Sequence, residues 1–84
     1  MLHLKLYSTS HCHLCEQAEA LLVNISKIYD INWQIVEIAE DSELIENYGL
    51  RIPVIKRMDN NTEINWPFSA VDVERFITAQ VAAQ

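Results

Sequence analysis

The apolar residues of this chain change period between Tyr7 and Leu14, and both of its cysteines, Cys12 and Cys15, sit at the change. Before it, Leu2, Leu4 and Leu6 alternate with His3, Lys5 and Tyr7, the two-residue period of a strand with one buried face. After it, Leu14, Ala18, Leu21, Leu22, Ile25, Ile28 and Tyr29 recur at three- and four-residue spacing. That is the stripe of an amphipathic helix about four turns long, and Leu14 is expected to be its first core-facing residue. Ser8, Thr9 and Ser10 supply turn and cap residues between the two periods. A strand that passes into a helix through so short a loop puts the cysteine pair at the first turn of that helix.

The rest of the chain continues the alternation. "INWQIVEI" (31 to 38) is rich in β-branched and aromatic residues and predicts a second strand. "EDSELIENYG" predicts a short helix capped by Asp41 or Ser42 and stopped at Gly49. "IPVIKR" predicts a third strand that opens on Pro53, one of the few strand positions proline accepts. "DNN" (59 to 61) carries hairpin-turn chemistry, and "TEINW" is the returning strand, with Thr62, Ile64 and Trp66 on one side. Ser69 with Asp72 three residues later has the spacing of a capping box for a last helix bearing Val73, Phe76, Ile77 and Val81. The order is βαβαββα, which predicts an α/β domain with a four-stranded mixed sheet and three helices. The first two strands should be parallel neighbours through a right-handed crossover and the last two an antiparallel hairpin.

At 84 residues, half of them hydrophobic, the chain is expected to form one domain over residues 1–84, with no internal repeat. Its net charge of -6 and the absence of any basic cluster beyond Lys56-Arg57 argue against nucleic acid and anionic membranes as partners. No apolar run approaches the roughly 20 residues that span a bilayer, and "MLHLKLYSTS" does not read as a signal peptide. A cytoplasmic, monomeric protein is the default expectation, and in that reducing compartment a close cysteine pair points to catalysis or metal binding rather than to a structural staple.

At the start of a helix, unpaired backbone N–H groups and the helix dipole stabilise negative charge. A Cys12 thiolate there should have a pKa below the free value of about 8.5, which makes it a nucleophile toward disulfides near neutral pH. Cys15, three residues along and pointing more toward the interior, is placed to attack the resulting mixed disulfide. His11 and His13 flank the nucleophile, where an imidazolium would lower its pKa further; the alternative is two exposed loop histidines. A CxxC pair is also half of many zinc sites, which need two further ligands. No Cys follows Cys15 and no His follows His13, so His3, His11 and His13 could complete a site only through unusual geometry or across a dimer.

Strand, "HCHLC", helix, strand, helix, "RIPV" and hairpin together resemble the glutaredoxin branch of the thioredoxin fold, over essentially the whole chain. Small bacterial glutaredoxin-like proteins carry the same three marks: a CxxC, an "IPV" strand (Ile52-Pro53-Val54) and a "WPF" segment (Trp66-Pro67-Phe68). The resemblance implies a cis Pro53 packed against the cysteines, with the backbone N–H and C=O of Ile52 offered to an extended substrate. Ile52, Pro53, His11 and His13 are then the substrate-binding candidates, and Cys12 and Cys15 the catalytic pair. The implied activity is thiol–disulfide exchange with no bound cofactor. Its substrate would be a disulfide-containing protein or a small thiol, and its reductant glutathione or a disulfide reductase. The alternatives are a metal or iron–sulfur carrier using Cys12, and a binding module of the same fold without general reductase activity. Two features depart from the family pattern: His13-Leu14 replaces Pro-Tyr between the cysteines, and no Gly-Gly turn precedes the last helix, where Asp72 matches the family aspartate but is explained equally well as a cap. Thioredoxins proper carry a buried acidic residue where this chain has Leu6, so proton exchange at Cys15 is expected to use solvent or a histidine.

Overall fold

The computed structural model describes residues 1–79. In chain order its elements are β1 (Leu2–Ser8), α1 (His13–Ser26), β2 (Ile31–Glu37), α2 (Ser42–Tyr48), β3 (Val54–Arg57), β4 (Glu63–Asn65) and α3 (Ala70–Thr78). The predicted βαβαββα order is therefore the observed one; Val81 lies outside the described residues. The sheet runs β2-β1-β3-β4. β1 and β2 are parallel, from Leu2 opposite Ile31 to Ser8 opposite Glu37. β3 is antiparallel both to β1, with Ile55 opposite Leu6, and to β4, with Ile64 opposite Ile55.

The two-residue period of β1 divides its side chains between two apolar clusters. Leu4 and Leu6 point to the face covered by α1 and α3, where they meet Ala18, Leu22 and Ile25, then Val73 and Ile77, with Ile55 at the centre. Tyr7 points to the other face and joins Val54, Ile38 and Tyr48 of α2. The Tyr7 and Tyr48 rings stack with centroids 4.1 Å apart, slightly closer than the roughly 4.5–7 Å that aromatic pairs prefer. α2 thus covers the end of the second face from which the cysteine loop leaves β1.

The structure corrects two members of the helical stripe. Leu14 is 42% exposed, because the buried row of α1 runs through Cys15, Ala18, Leu22 and Ile25, and the cysteine takes the leading place. Ile28 is 76% exposed, because α1 stops at Ser26 with Lys27 as its cap, so the helical period no longer governs where Ile28 points. β3 and β4 are also shorter than expected, beginning at Val54 and Glu63.

Candidate functional site

Cys12 is itself the N-cap of α1. Its backbone is extended, and its Sγ accepts a hydrogen bond from the Cys15 N–H at 3.2 Å, while its carbonyl accepts from Glu16 N–H at 3.1 Å. The sulfur therefore faces one of the donors that a helix start leaves without an intrahelical partner. Cys12 and Cys15 are joined as a disulfide, with Cα atoms 5.2 Å apart. They differ in access: Cys12 is half-buried, whereas Cys15 is 4% exposed. The turn that brings Cys12 to the cap needs a left-handed residue, and His11 supplies it with φ 61°. Histidine enters that region more readily than most side chains. His11 and His13 are both exposed.

The loop before Cys12 is held from β2. One carboxylate oxygen of Glu37 accepts from the Ser10 N–H at 3.1 Å and from the Ser10 hydroxyl at 3.2 Å. The other accepts from the Ala39 N–H at 3.0 Å. The Ala39 N–H, with the Thr9 and Ser10 groups, keeps the Glu37 carboxyl below the usual carboxylate range. Sequence reasoning missed this residue, since nothing local connects Glu37 to a loop 27 positions earlier.

A cavity of about 90 Å³ opens beside the disulfide, lined by His11, Cys12, Cys15, Glu16, Glu19 and Ile35 together with the end of β1. His13, Ile52 and Pro53 are not part of its lining. The structure thus brings one histidine candidate, His11, to the cavity with the cysteines and leaves the other, His13, on the exposed first turn. Glu19 also went unnoticed in the sequence. Its place four residues after Cys15, one helical turn along, was the available signal. The Trp33 indole N–H of β2 donates to the Glu19 carboxylate at 3.3 Å. Among the described residues, no group of three or more His, Cys, Asp and Glu side chains is arranged to hold a metal ion.

The Ile52–Pro53 peptide is cis, as is Trp66–Pro67, and Pro53 is buried with its carbonyl accepting from the Trp66 N–H at 3.1 Å. The expectation for Ile52 needs correction. Its N–H donates to the Tyr48 carbonyl at 3.0 Å, because the chain leaving α2 makes a further turn in which Arg51 N–H also reaches Tyr48 O, at 2.8 Å. That N–H is therefore already committed rather than offered to a substrate strand. Phe68 is buried and packs edge-on against Trp66, with ring centroids 5.0 Å apart. Asp72 closes a full capping box: its carboxylate accepts from the Ser69 N–H at 2.9 Å and its own N–H donates to the Ser69 hydroxyl at 3.2 Å.

Comparison with known proteins bears on this geometry. The family model described as Glutaredoxin-like domain (DUF836) matches residues 3–78. The crystal structure of protein XcR50 from X. campestris is 33% identical, with 93% of this chain and 99% of that chain covered, at a TM-score of 0.82. Protein Ne2328 from Nitrosomonas europaea is 22% identical over 89% of each chain, at 0.79. Thioredoxin 1 from Thermosipho africanus is 16% identical over 89% of this chain and 93% of that one, at 0.62, which shows the shared fold. No curated protein matches the chain.

Proposed function

Because the chain belongs to the glutaredoxin-like domain family and has the thioredoxin fold, we propose that it is a thiol–disulfide oxidoreductase working through Cys12 and Cys15. The observation that carries this reading is the asymmetry of the pair: a half-buried sulfur at a helix N-cap joined to a buried sulfur three residues on. In the reduced protein the Cys12 thiolate, stabilised by the cap N–H and the helix dipole, attacks one sulfur of a substrate disulfide. The substrate S–S bond breaks, one substrate thiolate leaves, and Cys12 is held in a mixed disulfide. Cys15 then attacks the Cys12 sulfur, the protein disulfide forms and the second substrate thiol is released. Glutathione or a disulfide reductase returns the pair to the dithiol, and no bound cofactor takes part. A protein disulfide or a small disulfide fits these steps equally. His11, in the lining of the cavity, and Pro53 and Ile52, on the segment leading into β3, are the substrate-facing candidates, with Ile52 contributing through its carbonyl.

The test is trapping of the mixed disulfide. Cys15→Ser should accumulate a covalent adduct with a disulfide substrate, because it lacks the resolving thiol, whereas Cys12→Ser should accumulate little. Equal and negligible trapping by both variants, seen by mass spectrometry of the intact protein, would sink the reading.

A further inference from the structure

Resolution asks for a proton to leave Cys15. Cys15 is 4% exposed, and burial disfavours a thiolate. It also lacks the capping position that Cys12 occupies. We propose that Glu19 is the proton acceptor for Cys15 when the mixed disulfide is resolved, and its proton donor in the reverse step. This inference rests on the oxidoreductase reading above.

Three observations carry it. Glu19 lines the same cavity as both cysteines. It follows Cys15 by four residues within α1, so the two side chains share a helix face, and helical side chains lean toward the N-terminus, which brings the carboxylate back toward the sulfur. Finally, Trp33 holds that carboxylate through its indole N–H at 3.3 Å, which makes Trp33 a positioning residue on β2. Glu16 also lines the cavity, but it is exposed and directly adjacent to Cys15 in sequence, and neighbours of that kind do not face each other on a helix. At about 90 Å³ the cavity has room for more than one water, at roughly 30 Å³ each, to carry the proton between sulfur and carboxylate.

The step balances without a further reagent. The Cys15 sulfur bonds to the Cys12 sulfur while the bond from Cys12 to the substrate sulfur breaks, its electron pair leaving on the substrate thiolate. The Cys15 proton passes to the Glu19 carboxylate and from there to the departing thiolate or to solvent. In the reverse direction, a reductant thiolate attacks Cys12, Cys15 leaves with the electron pair of the protein disulfide, and Glu19 returns the proton to it.

An aromatic disulfide that releases a coloured thiolate, 5,5′-dithiobis(2-nitrobenzoate), separates the two attacks in time. The first coloured equivalent reports Cys12 and the second reports Cys15. Glu19→Gln keeps an acceptor for the Trp33 indole and should leave the first phase as in wild type. It should slow the second by about tenfold near neutral pH, less than the roughly 10²–10⁴-fold of a full general-base effect, since water offers an alternative route. The deficit should narrow only as pH rises well above the free-thiol value of about 8.5, because burial disfavours the Cys15 thiolate that must then form without help. Trp33→Phe should show a smaller deficit of the same kind, and Glu16→Gln should keep the wild-type pH profile. A second phase that is unchanged in Glu19→Gln overturns the proposal. So does a faster one, the behaviour of a carboxylate that acts only as a negative charge against the thiolate. Failure of the underlying reading looks different: wild type itself would release no second equivalent.

Discussion

At the scale of single residues, several carboxylates in this protein are stabilised as anions by N–H and hydroxyl donors. Asp72 is the plainest case. The Ser69 backbone N–H, then its hydroxyl and the nearby Arg75, hold the Asp72 carboxyl below its usual range. Glu37 is shifted in the same direction by Ala39, Thr9 and Ser10, and Asp59 by Arg57. A folded-state pKa below the unfolded one means that folding favours the ionised form. The resulting stability is present above the unfolded value of about 3.9–4.3 and is lost as pH falls through the folded value. Thermal unfolding followed from about pH 5 to about pH 2 should therefore show a falling Tm in wild type. Asp72→Asn should start lower at neutral pH and fall less steeply; parallel curves would mean that the Asp72 carboxylate does not contribute. The Ser69–Asp72 pair was legible in the sequence because a capping box closes within four residues. The tie from Glu37 to Ser10 was not, because it joins the end of one strand to the loop after another.

At the scale of elements, periods and caps identified every helix and strand, and the departures have local causes. Leu14 and Cys15 are adjacent, and the period alone does not say which one leads the buried face; a cysteine is apolar enough to take that place. Gly49 stops α2 as expected, yet for a different reason than a left-handed stop. Its backbone is right-handed, at φ -54° and ψ -33°. What requires glycine is space, since a Cβ there would lie 2.5 Å from the Ile45 carbonyl oxygen. Two effects compete in Gly49→Ala. Alanine would gain about 0.5–1 kcal/mol of conformational entropy, but the displaced backbone costs about 1–3 kcal/mol, so the contact wins and the variant should be less stable. Urea unfolding decides the sign. A stabilised Gly49→Ala would mean that the Ile45 carbonyl moves aside cheaply.

At the scale of the whole molecule, one buried charge joins the sheet to the last helix. Arg57, at the end of β3, is 6% exposed. Its Nη1 donates to the carbonyls of Phe76 at 2.9 Å and Ala79 at 2.6 Å, while Nε and Nη2 donate to the Asp59 carboxylate at 2.9 and 2.6 Å. The guanidinium therefore satisfies carbonyls that the end of α3 leaves open. Sequence reading saw only Lys56-Arg57 as a small basic pair, because burial of a strand-end arginine depends on where a helix 20 residues later comes to rest. Arg57→Met should cost about 2–4 kcal/mol in urea unfolding, since it strips the α3 carbonyls of their donor. Asp59→Asn should cost much less, because Asp59 is partly exposed and its pairing is screened. Equal losses in the two variants would assign the stability to the ion pair instead.

The position of β1 between β2 and β3 has a mechanical consequence. A strand bonded along both flanks cannot slip or tilt without releasing two ladders at once, and a slip of one residue would turn Leu4 and Leu6 out of the core. The cysteine loop leaves the end of this clamped strand, tied to β2 by Glu37 on its way to α1. In the proposed reaction, making and breaking the bond between Cys12 and Cys15 would therefore take place on a fixed mount. In the proposed cycle the two cysteine side chains would move while the ladders on both flanks of β1 hold the frame beneath them.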